Sequence, residues 1–71
     1  MAELRVYIKP LLEGTVRQVD WPHFPRSGEH IMWDGKRCPV EWVQWRASPS
    51  ETEFLVEDDN AVTVVIGPSY G

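Results

Sequence analysis

Apolar side chains recur at every second position along most of this chain, and that spacing constrains its fold more than any other feature. In LRVYIKP, Leu4, Val6 and Ile8 share one phase while Arg5, Tyr7 and Lys9 share the other. Successive side chains of a strand point to opposite faces, so this stretch reads as a half-buried strand. A turn at LLEG leads into TVRQVDW, where Val16, Val19 and Trp21 break strict alternation. The clearest hairpin is EHIMWDGKRCPVEWVQWRA, with Asp34 and Gly35 between two apolar runs; this pair suits a two-residue turn that needs positive φ at both positions. In its second strand, Val40 and Trp42 share one phase, and Val43 and Trp45 the other. An inserted residue, a β-bulge, is the expected cause. SPSE reads as a loop, and a second hairpin is expected in TEFLVEDDNAVTVVIGP, reversing through Asp58, Asp59 and Asn60. No stretch carries a helical period.

Seventy-one residues make one domain, spanning 1–71. A chain of this size buries only about 60% of the surface its unfolded form exposes, so its core is thin. Cys38 is the only cysteine, which excludes an internal disulfide. His23, His30 and Cys38 lack the spacing of a zinc site. The remaining means of stabilisation are large aromatic side chains and association between copies, so a homo-oligomer is expected. The expected core is Leu4, Val6, Ile8, Ile31, Val43, Val62, Val64 and Ile66. Trp33 and Trp45 should be mostly inside, with Trp42 turned outward by the bulge.

Five or six short strands in so short a chain predict an all-β fold, a small antiparallel barrel that removes most open edges. The stretch PRSGEHIMWDGKRCPVEWVQW, about a third of the chain, resembles the small SH3-like barrels common among short phage and mobile-element proteins. It offers a Pro-Arg-x-Gly approach, a strand, an Asp-Gly turn and a Val-x-x-Val-x-Trp strand. Those barrels share no catalytic residues, so the resemblance implies a fold and a setting, not an activity.

The net charge is −4, and Arg46 is the only basic residue after Arg37. An acidic chain gains nothing from counterion release on a phosphate backbone, which disfavours general nucleic-acid binding. A local patch of Arg5, Lys9, Arg17 and Arg26 could still hold a small anionic ligand. No apolar run approaches a membrane span and no export signal is legible. With a lone thiol, these features predict a cytoplasmic protein, in its own cell or in a host.

Catalysis is not expected. Cys38 follows Lys36 and Arg37, which would favour a thiolate, but no base or oxyanion-binding motif accompanies it. No cofactor motif is present either. The acidic run from Glu51 to Asp59 reads as solvated strand edge that discourages aggregation. The most suggestive stretch is WPHFPRSGEH, the longest proline-broken connection. Trp21, His23, Phe24 and Arg26 there, with Trp42, make the candidate binding residues, since aromatic and arginine side chains dominate binding hot spots. The same connection would also serve as a lid over a barrel end. The expected function is non-enzymatic binding of a protein partner, as by a phage-encoded inhibitor of a host defence protein. The alternative is an oligomer that sequesters a nucleotide-like ligand between Trp or Phe faces, with Arg17 or Arg26 on its phosphates. If Arg26 carries no binding, the surface of Tyr7 and Lys9 or the acidic edge is the next place to look.

Overall fold

Five strands form one mixed sheet curled into a half-barrel in the computed structural model, which describes residues 4–12, 15–20 and 25–68. They are β1 (Arg5–Pro10), β2 (Arg17–Val19), β3 (His30–Trp33), β4 (Lys36–Pro49) and β5 (Leu55–Ile66), in the order β2-β1-β5-β4-β3. The all-β expectation holds, but a purely antiparallel sheet does not. β1 pairs with β5 in parallel, Val6 opposite Val62 and Ile8 opposite Val64. Three strands separate β1 from β5 in sequence, so no tight turn dictates their relative direction. That intervening length supplies the long crossover which parallel pairing requires.

The β3–β4 hairpin forms at Asp34 and Gly35, whose φ angles are 51° and 76°. Positive φ at both central residues matches the right-handed twist of the strands they join. The bulge is also present. Val40 pairs with Ile66 but Trp42 with Val65, so Glu41 is the extra residue. Val40 and Val43 consequently both face the core, and Trp42 moves to the opposite face.

The second expected hairpin is corrected. β5 continues through Asp58, Asp59 and Asn60, and the chain reverses earlier, over residues 50–54. Ser50 Oγ there accepts hydrogen bonds from the backbone N–H groups of Thr52 and Glu53, a local closure that serine favours. Asp58 to Asn60 bend the ladder instead. Between the rungs Trp45–Val62 and Ala47–Glu57, Arg46 alone stands opposite residues 58–61, and Arg46 takes φ 59°. Past this point the hairpin tip leans over the outer face of the sheet. The Thr63 hydroxyl donates to the Ala47 carbonyl at 2.9 Å, and the Phe54 ring lies 5.8 Å from that of Trp42.

The inner face carries the core: Val6, Ile8, Cys38, Val40, Val62, Val64 and Ile66, flanked by Val19, Ile31, Trp33 and Val43. Leu4 does not join it and is 45% exposed, because pairing of β1 begins only at Arg5. Trp45 is 51% exposed, since it sits on the last rung before the bend. Residues 61–67 of β5 and its end are buried on both faces, the outer one beneath the leaning tip. β2 and β3 end the sheet at opposite edges, and Arg17 links them. Its Nη1 meets Asp34 Oδ1 at 2.8 Å while its guanidinium lies 4.8 Å from the Trp33 ring centre.

Candidate binding surface

Where the tip leans over the sheet it stops short of β1, and a cleft of about 630 Å³ opens between them. Tyr7, Lys9 and Val16 line one wall; Ser48, Pro49, Ser50 and Glu51 line the other. The alternation of β1 accounts for the first wall, since Tyr7 and Lys9 occupy the phase opposite to core residues Val6 and Ile8. Arg5 positions the phenol, donating from Nη1 to the Tyr7 oxygen at 3.4 Å and from Nη2 to Asp58 at 2.6 Å. The Lys9 ammonium lies 4.9 Å from the Phe54 ring centre, a cation–π contact that leaves its N–H donors available. On the second wall the Ser50 closure fixes the backbone beneath Glu51, whose side chain is exposed. The cleft thus presents an ammonium, a carboxylate, a phenol and two apolar surfaces. Such a set can pair with charges of either sign and with backbone amides.

The residues singled out from sequence are only partly brought together. Trp21, His23 and Phe24 lie outside the described residues. Arg26 is exposed, and its backbone N–H donates to Glu29 Oε1. Ser27 Oγ donates to the Glu41 carbonyl at 2.9 Å, and the Gly28 N–H to the Val40 carbonyl at 3.0 Å. The turn after Arg26 is therefore fastened to the bulge, one residue from Trp42. Trp42 does lie on the outer face, yet Phe54 partly covers it, so it does not present an open aromatic face.

The cationic patch disperses as well. Arg5 is engaged by Asp58, Arg17 by Asp34 and Lys9 by Phe54. Sequence reasoning did not single out Phe54; its only signal was a lone large aromatic after the polar stretch SPSETE. Cys38 is buried, with Sγ 3.9 Å from the Lys36 carbonyl, as expected for a structural thiol. Among the described residues no group of three His, Cys, Asp or Glu side chains could hold a metal ion. No helix among them is long and apolar enough to cross a membrane. Compared with family models, characterised proteins and solved structures, the chain gives no match.

Proposed function

We propose that this protein acts by binding an extended segment of a protein partner in the cleft between β1 and the hairpin tip. The observation that carries the reading is the cleft itself, open to solvent and lined by both signs of charge and by apolar surface. An enclosed, mainly apolar pocket would suit a small ligand better. The nucleotide-sequestering alternative also needs aromatic faces, and of the described tryptophans Trp33 is already met by Arg17 and Trp42 is partly covered by Phe54. A phage-encoded inhibitor of a host defence protein, working in the host cytoplasm, is the setting the resemblance to small SH3-like barrels implies. Self-association belongs to the same reading, because the thin core leaves Met32 68% exposed and a copy could cover such surface.

Charge reversal in the cleft tests the binding reading. Lys9→Glu and Glu51→Lys should each weaken capture of the same partner about tenfold or more, with thermal melts close to wild type for Glu51→Lys. Arg26→Ala serves as a comparison and should retain capture. Native mass spectrometry of freshly purified protein reads bound small molecules and copy number together. Full capture by both cleft variants, or a stoichiometric nucleotide in the spectrum, would overturn the reading.

A further inference from the structure

The bend that carries the hairpin tip is a break in the β4–β5 ladder. Arg46 alone faces residues 58–61, so ladder pairing is interrupted there. Its φ of 59° lies in the left-handed region, which is costly for a residue with a side chain. The ion pair across the joint, Arg46 to Asp59 at 2.8 Å, is exposed at both ends, and exposed pairs contribute little. The contacts that seat the tip include the Thr63 hydroxyl to Ala47, Phe54 on Trp42, and Lys9 over Phe54. Ala47 is the only buried residue between 47 and 57, and Phe54 remains 42% exposed. Within itself the tip is coherent. Ala47 pairs with Glu57, Ser48 with Val56 and Pro49 with Leu55, and Ser50 closes the turn.

We propose that residues 47–57 form a flap that swings as one body about Arg46 and residues 58–61, and that its position makes or dismantles the cleft. The motion stands on the geometry of the joint; its consequence for a partner rests on the binding reading above. Ser48 to Glu51 ride on the flap, while Tyr7, Lys9 and Val16 stay with β1 and β2. Opening therefore separates the two walls and uncovers Trp42, the outer-face ring that Phe54 partly covers. A partner segment touching both walls binds the closed form alone, and so shifts the population toward closure by its differential affinity. Hinges of this kind are a few element-terminal residues that absorb a large backbone change.

Relaxation-dispersion NMR on the full chain, with no partner present, tests the motion. The amides of residues 47–57 other than Pro49, and the Trp42 indole N–H, should report one shared exchange process, with the amides of Val62, Val64 and Ile66 quiet. Phe54→Ala removes both ring contacts and should raise the open population about tenfold, leaving those core amides unchanged. Phe54→Leu, a milder change, should raise it less. Absence of exchange in residues 47–57 of both the wild type and the Phe54 variants would overturn the flap. So would exchange spread equally over Val62 and Val64, because the tip would then open only with the core. Both failures are separable from failure of the binding reading, which is judged by capture with the Lys9 and Glu51 variants.

Discussion

Asp34 and Gly35 separate two effects that sequence reasoning joins. Both have positive φ, but only Asp34 carries a charge, and it meets Arg17 at 2.8 Å with both side chains about half exposed. Asn tolerates the left-handed conformation as Asp does, so Asp34→Asn removes the charge and keeps the turn. We expect it to cost well under about 1 kcal/mol, the range of exposed ion pairs. Gly35→Ala meets no atom within 4 Å of the added carbon, so its cost comes from the backbone alone. At φ 76° that cost should be about 1 kcal/mol or more. Urea denaturation of the two variants gives the comparison, and a loss in Asp34→Asn as large as that in Gly35→Ala would show that the ion pair contributes as much to this corner as the turn conformation.

The β4–β5 hairpin shows how one element serves both core and surface. Its proximal half contributes Val40, Val62, Val64 and Ile66 to the inner face, while its distal half folds back over the outer face. Thr63 lies between the two, fully buried, and its hydroxyl makes the only buried side-chain hydrogen bond among the described residues. Thr63→Val keeps the shape but leaves the Ala47 carbonyl without that donor, so we expect a loss of about 1–2 kcal/mol. An unchanged midpoint in urea would mean that the carbonyl finds water instead. At the bend, the hydrogen bond and charge of Asp59 hold the Arg46 pKa above its ordinary value. A cation whose folded pKa is raised adds stability below its unfolded pKa and loses it only as pH rises through the folded value. Deprotonation of Arg46 therefore gives the bend no pH dependence near neutrality.

For the molecule as a whole, the consequential feature is the open side of the half-barrel. β2 and β3 are not neighbours in the sheet, and among the described residues the Arg17 side chain bridges them through Asp34 and the Trp33 ring. Arg17→Ala should lower stability by about 1 kcal/mol, combining an exposed ion pair with a cation–π contact. Part of that loss should vanish in high salt, which screens the ion pair. Arg17→Lys should recover some of the charge contribution and less of the stacking, because a guanidinium stacks on aromatic faces where an ammonium is a compact point charge. Identical melts for Arg17→Ala and wild type at low salt would show that the two edges need no link.

Local periodicity and turn chemistry, both legible in the sequence, were enough for part of this fold. The alternation in β1 placed Val6 and Ile8 inside, Asp34-Gly35 set the β3–β4 hairpin at the sheet's edge, and the phase change after Val40 announced the bulge at Glu41. Each depends on neighbouring residues, whose side-chain direction is dictated by the pleat. Long-range packing governs the remainder. Asp58-Asp59-Asn60 carries the chemistry of a reversal, yet the Ser50 turn reverses the chain first and leaves those residues to bend the strand. The parallel partnership of β1 with β5 joins residues more than fifty positions apart, which no local signal encodes. The cleft depends on both, since one wall belongs to β1 and the other to the bent hairpin tip. Tyr7 and Lys9 were legible as an outward face, but only contacts between distant segments could set Glu51 across from them and lay Phe54 beneath the Lys9 ammonium.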